Sequence, residues 1–345
     1  MTTPPPPLSG NPVISPGDAA EPVERRGVRG LLWGVWNDRN GRIGLVVVTV
    51  LVVLRAVPGD AIAAALGIES GSLSPGQRAS LERFYGLDEP PPVQFASWLG
   101  QVVQGNLGVS LQSGRPVTEL IGTALPVTVE LAVLAMLIGV PLGVAMGLLA
   151  ASGLGRRRDG ATQTVALIGL AVPEFVLGSV VVAVLAQTFG YFPDTGSFVP
   201  LTESVGGNLS QMLYPAVVIS VGVAATLMRT TRSAYAEVAE ADFVRTARGK
   251  GLHPGRIRLR HVLHNASVPI VTMSGIQFGY LLGGTVIVEE IFSLPGLGRL
   301  LFTSITQRDY PVVQSAVLAV AVGFVLVNLA VDLLYRVIDP RTRTP

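Results

Sequence analysis

Six apolar stretches, each near or above the length needed to cross a bilayer, constrain this chain more than any other feature. About 20 helical residues span roughly 30 Å of hydrocarbon. The stretches run at about Ile43 to Val57, Val127 to Ala151, Ala161 to Phe189, Leu213 to Met228, Val268 to Phe292 and Val312 to Ile338. Only 14% of the 345 residues are charged, against about 25% in an average soluble chain, so lipid is the expected solvent. Val, Leu, Ala and 40 Gly carry the apolar content, and such residues let helices approach closely inside a bilayer. The fold class expected is an all-α integral membrane protein with six transmembrane helices. The first stretch is short and holds Arg55, so it borrows from Gly41 and Arg42 or lets Arg55 snorkel outward. The fourth, also short, is expected to continue past Met228.

The flanks organise the rest. Residues 1–40 hold a Pro-rich tail and an entry segment; a tail of this composition buries no core. It lacks a basic start followed at once by an apolar run, so the first span is expected to act as an uncleaved anchor. Residues 41–345 form the transmembrane domain. Within it, segments 58–125 and 229–265 are too long to be simple turns. With a cytoplasmic N-terminus, nineteen of the 25 basic residues fall in inner segments and six in outer ones. By the positive-inside rule both termini and the 229–265 segment are cytoplasmic, and 58–125 is extracytoplasmic.

Several chemistries are excluded or weak. The absence of cysteine rules out disulfides, thiol nucleophiles and Cys-ligated metals. A net charge of +2, with basic residues scattered through short loops, gives no footprint for nucleic acid. No Gly-x-x-x-x-Gly-Lys-Ser/Thr loop occurs, and the single lysine, Lys250, is followed by glycine, so ATP hydrolysis belongs to another chain. His253, His261 and His264 share the inner loop without nearby carboxylates or cysteine, which is weak ground for a metal site. No Ser, His and acid set stands in a recognisable motif, and no catalytic residue is assigned.

The inner loop carries the strongest local signal. Asp242 is placed to cap a short helix through Val244 and Ala247, and Gly249 and Gly251 to stop it. Arg256, Arg258 and Arg260 then return the chain to the bilayer through a basic collar. The run Asp242 to Leu252, followed by Arg260-His261-Val262-Leu263-His264-Asn265-Ala266 and Pro269, resembles the EAA-type loop of binding-protein-dependent ABC permeases. The form is that of the dipeptide and oligopeptide family. Further segments look like that family's signatures: Val57-Pro58-Gly59-Asp60, Tyr85-Gly86-Leu87-Asp88-Glu89-Pro90, Gly105-Asn106-Leu107-Gly108-Val109-Ser110, Leu294-Pro295-Gly296-Leu297-Gly298-Arg299, Arg308-Asp309-Tyr310-Pro311 and Asn328 to Tyr335. The later ones are similar to the B-type member of a B/C permease pair.

The resemblance implies a type I ABC importer permease fold with an extracytoplasmic domain between the first two helices. It implies a homologous C-type permease as partner, two cytoplasmic ATPases that use ATP and Mg, and an extracytoplasmic solute-binding protein, all at the cytoplasmic membrane of a prokaryote. Asp242, Phe243, Arg245, Thr246, Ala247 and Gly251 are the residues it assigns to ATPase coupling. The chain itself is expected to bind no cofactor and to touch membrane lipid but no nucleic acid. A channel or ion-coupled carrier working without ATPases is the alternative.

Charges inside spans are costly and mark candidate pathways. Glu174 beside Pro173 is the foremost, since proline frees a backbone carbonyl in mid-helix and bends the segment. A structural pairing of Glu174 with a neighbouring helix is weighed equally. Glu130, Glu289 and Glu290 are expected to be solvated or structural near the outer interface, and Asp332 and Arg336 to form a local pair.

Overall fold

A computed structural model describes residues 90–152, 157–194, 196 and 198–338, together with Ser74, Gly76 and Ser80. The tail, the first expected span, the Val57–Asp60 and Tyr85–Glu89 signatures and the chain after Ile338 lie outside these residues, as do the side chains of Asp332 and Arg336. The described chain is helical: α1 Pro91–Val103, α2 Val117–Ser152, α3 Arg157–Ala171, α4 Glu174–Phe189, α5 Val205–Ala239, α6 Asp242–Gly249, α7 Pro254–Arg256, the π-helix Ile257–Leu263, α8 His264–Gly284, α9 Val286–Ile291, α10 Leu297–Thr306 and α11 Tyr310–Ile338. Among the described residues the only β pairing is an isolated bridge between Val109 and Pro116.

Four helices are long and apolar enough to cross a membrane, and α3 with α4 makes a fifth crossing if the bent pair counts as one span. The third apolar stretch, expected as one span, is thus two helices meeting at 89°. Pro173 explains the break: it lacks an N–H, and its ring drives Val172 out of the helical region. α4 restarts at Glu174 with Pro173 in its N-cap position and ends at Gly190, whose φ of +64° favours glycine.

The fourth stretch is far longer than its apolar part. Its 35 residues span about 52 Å at 1.5 Å per residue, well beyond the roughly 30 Å of a hydrocarbon core. Ser204 starts it by accepting a hydrogen bond from the Gly207 N–H at 3.2 Å. At the far end no proline or glycine interrupts Arg229 to Ala239, so the helix continues out of the bilayer. Arg232 is held there by a two-pronged bond to the buried Asp159 at the start of α3, at 2.7 and 2.8 Å. Gln163 also donates to Asp159, at 2.8 Å.

Two ladders of small residues bring the long helices into contact. On α2, Gly139, Gly143 and Gly147 lie four apart and press on α5: a methyl group at Gly143 would stand 2.6 Å from the Ala224 carbonyl oxygen, and at Gly147 2.7 Å from that of Met228. On α8, Gly275, Gly279 and Gly283 press in the same way on Val331, Phe324 and Val320 of α11. Such spacing lets backbones approach where a side chain would hold them apart. The main apolar core, with Leu131, Met212, Ile219, Val223 and Leu227, fills the space between α2, α5, α8 and α9.

Candidate functional site

Beyond the end of α5, the chain folds a small element of its own. Helix α6 opens with Asp242 as its first residue and Ala241 in the cap position. Asp242 is therefore not the side-chain cap expected from sequence; its charge lies in the first turn, favourable to the helix dipole. The expected stop is present: the helix ends at Gly249, and Gly251 takes a φ of +73°. Val244 and Ala247, one turn apart, are 0% and 6% exposed and pack with Ile257 and Val262. The opposite face presents Asp242, Phe243, Arg245 and Thr246 to solvent, with Phe243 48% exposed. Five of the six residues assigned to coupling thus lie on the exposed side, Gly251 included, while Ala247 faces the loop's own core.

The basic collar that follows is wound as the π-helix, with Arg258 and Arg260 exposed. His253 is not drawn toward a metal geometry: its Nδ1 accepts a hydrogen bond from the Gly255 N–H at 3.2 Å. Among the described residues no three metal-ligating side chains converge.

At the opposite end of the bundle two carboxylates hold the loops together. Glu289 is fully buried, which corrects any reading of it as solvated. Its Oε1 accepts from the hydroxyls of Thr128 at 2.6 Å and Thr285 at 2.9 Å, and its Oε2 from the Arg299 N–H at 2.9 Å. The Leu297 N–H in turn donates to Thr128 at 2.8 Å. Gly296, in the N-cap position of α10, offers no side chain, so Glu289 caps that helix from outside and meets the positive end of its dipole. The glycines of Leu294-Pro295-Gly296-Leu297-Gly298-Arg299 make room: a methyl group at Gly296 would collide with the Glu289 carboxylate, and one at Gly298 would stand 2.8 Å from Val286 Cα. Glu290 behaves differently and pairs at the surface with Arg299 at 3.1 Å. Glu130 accepts from Asn208 Nδ2 at 3.4 Å.

Glu289→Ala strands three donors and opens a void, a combination that costs on the order of 3 kcal/mol or more. A clear fall in the melting temperature of the purified protein is expected, and an unchanged Tm would contradict the capping role.

Asp309 is the second clamp. It is 2% exposed, accepts from Ser110 Oγ and from the Leu111 N–H at 3.1 Å, and lies just ahead of α11. Two segments read separately in the sequence, Gly105 to Ser110 and Arg308 to Pro311, are therefore one structure.

Glu174 occupies a different setting. It begins α4 at the α3–α4 break and lies against Gly222, the central residue of α5; a methyl group there would approach Glu174 Oε1 to 3.2 Å. The side chain is part-buried, and among the described residues neither ion pair nor hydrogen bond reaches its carboxylate.

Sequence reasoning passed over Asp159 with Arg232 and the role of Glu289. The glycines four apart and the two glycines after Pro295 were the available signals.

Comparison with known proteins gives a consistent picture. Residues 139–344 match the family described as "Binding-protein-dependent transport system inner membrane component". The protein y4tP of Sinorhizobium fredii, whose name describes a peptide ABC transporter permease, is 38% identical over 87% of this chain and 95% of its own length. The glutathione transport system permease protein GsiC of Salmonella typhimurium is 38% identical over 87% of this chain and 94% of its own. Among solved structures, a chain of the inward-facing MetNI methionine ABC transporter superposes with a TM-score of 0.51 at 17% identity, covering 64% of this chain and 97% of that one. A chain of an amino acid ABC transporter crystallised with histidines gives 0.50 at 18% identity, covering 64% of this chain and 94% of that one. The two structural likenesses concern the fold.

Proposed function

Because the chain belongs to the family of binding-protein-dependent transport system inner membrane components, we propose that it is the permease subunit of an ATP-driven importer for peptides or similarly small solutes. The observation that carries the coupling role is α6, anchored on its own loop by Val244 and Ala247 while Phe243, Arg245 and Thr246 are exposed to a partner. The α6 end of the bundle is then cytoplasmic, in agreement with the nineteen-to-six split of basic residues. The loops held by the buried Asp309 and Glu289 form the outer end of the bundle, which meets a solute-binding protein.

Two ATPases bind and hydrolyse ATP with Mg. A homologous C-type permease completes the pathway, whose lining includes Pro173 and Glu174. Closure of the ATPases displaces α6. Since α5 runs unbroken from mid-membrane to Ala239, its displacement is carried to Gly222 beside Glu174, and the pathway alternates between its two faces. The Arg232 bond to Asp159 makes α3 move with α5.

Purification from the native host tests this reading. Co-isolation with ATPases, and uptake blocked by vanadate, are the expected results. Uptake driven by an ion gradient alone, without ATPases, would instead establish the carrier reading.

A further inference from the structure

We propose that Glu174 is the recognition site for a positively charged group of the solute, a primary ammonium such as the free amino terminus of a peptide. The proposal rests on the permease reading above and adds the chemistry that the pathway selects.

Depth comes first. Gly222 is the midpoint of α5, and Glu174 sits one residue past the break that divides the α3–α4 pair, so the carboxylate lies near the middle of the membrane layer. A charge at that depth is expensive unless a partner or water-filled space receives it. Glu289 is provided for by Thr128, Thr285 and the Arg299 N–H, and Glu130 accepts from Asn208 through one oxygen, its other, buried oxygen having no partner among the described residues. Among the described residues no hydrogen bond or ion pair reaches Glu174.

Nor can the described helices supply a cation. Between Arg115 and Arg229 the basic residues are Arg156, Arg157 and Arg158, at the α2–α3 turn. None lies between His264 and Arg299, or between Arg308 and Arg336. Every described basic residue therefore belongs to an end of the bundle, and Arg55 lies outside the described residues. The counter-charge to Glu174 has to arrive from elsewhere, and a solute in transit brings it. The missing side chain of Gly222 lets the Glu174 carboxylate lie against α5 at this depth. An ammonium on a carboxylate at membrane depth gains more than it would in water, yet one carboxylate alone binds weakly enough to release.

The test uses the complete permease assembly in proteoliposomes, with a casein digest as probe and the same digest after exhaustive N-acetylation, which removes its free amines. Uptake is read by mass spectrometry. The wild type is expected to prefer the free-amine digest by roughly tenfold or more, Glu174→Gln to bring the two rates close together, and Glu174→Asp to restore much of the preference. A preference undiminished in Glu174→Gln, or both digests falling by the same factor, overturns the assignment. Should the glutamine variant not assemble, the wild type decides alone: labelling of Glu174 by a hydrophobic carbodiimide should be protected by the free-amine digest and not by the acetylated one. Equal protection by both overturns it. If the wild type takes up neither digest while hydrolysing ATP, the peptide reading fails and the Glu174 assignment goes with it; an unchanged ratio in Glu174→Gln strikes the Glu174 assignment alone.

Discussion

Gly143→Leu is expected to prevent accumulation of a folded protein in the membrane, and Gly143→Ala to lower its melting temperature markedly. Even a methyl group at this position would stand 2.6 Å from the Ala224 carbonyl oxygen and 2.8 Å from Leu227 Cβ. Both obstacles belong to α5, one of them to its backbone, so relief requires α2 and α5 to move apart. Overpacking of this kind costs about 1 to 3 kcal/mol for a small intrusion, a large fraction of a total stability of roughly 5 to 15 kcal/mol. Leucine adds three further carbons to the same collision. Separation would also unseat Gly139 and Gly147, whose contacts on Val223 and Thr231 are equally close. Gly122 on the same helix is the control, because a methyl group there has nothing within 4 Å; Gly122→Ala should keep the parental Tm. A Gly143→Leu protein that melts with the parent would mean that the ladder does not set the helix spacing.

The glycine ladders show where sequence stops informing. Glycines at 139, 143 and 147, and again at 275, 279 and 283, are visible as a four-residue spacing, and that spacing alone says that each helix offers a flat face. Which helix receives the face is settled by chain topology that local pattern does not contain. Glu289 is the sharper case. In sequence it stands beside Glu290, and nothing nearby separates the buried acid from the paired surface one. The hydroxyl that receives it, Thr128, is 161 residues upstream, and the remaining donors come from Thr285 and a loop backbone. Asp309 was equally opaque, since Ser110 lies 199 residues away.

Local rules did better. Pro173 marked a bend, and its consequence, a full break, follows from the same missing N–H. Gly251 marked a helix stop and is found with positive φ. The shortness of the fourth apolar part pointed to helix beyond Met228, and α5 does continue, as far as Ala239. It does so although hydropathy falls there, since Arg232 is neutralised by Asp159 from another helix.

Phe243→Asp is expected to leave the permease inserted and paired with its partner while abolishing ATPase association and reducing solute uptake to a few per cent, measured by co-purification and by vanadate-sensitive transport. An exposed aromatic at the tip of a loop is the kind of anchor that carries much of an interface's energy, and at 48% exposure Phe243 is not needed by the fold of its own chain. Thr246→Trp, on the same exposed side, should act alike by holding the helix out of a groove. Ala247→Trp belongs to another class of change. Its side chain packs against Ile257 and Val262, so tryptophan there should disorder the loop itself, and loss of coupling in that variant says little about contact. Gly251→Asp is intermediate: the space around it is open, but the φ of +73° costs a non-glycine residue about 1 kcal/mol. A loop held only by anionic lipid makes the opposite set of demands. It needs Arg256, Arg258 and Arg260, each worth about 1 kcal/mol near a charged surface, and it is indifferent to Phe243 and Thr246. If Phe243→Asp and Thr246→Trp both recover the ATPases and transport at the parental rate while removal of the three arginines stops uptake, α6 is a membrane anchor and the coupling contact lies elsewhere on the chain.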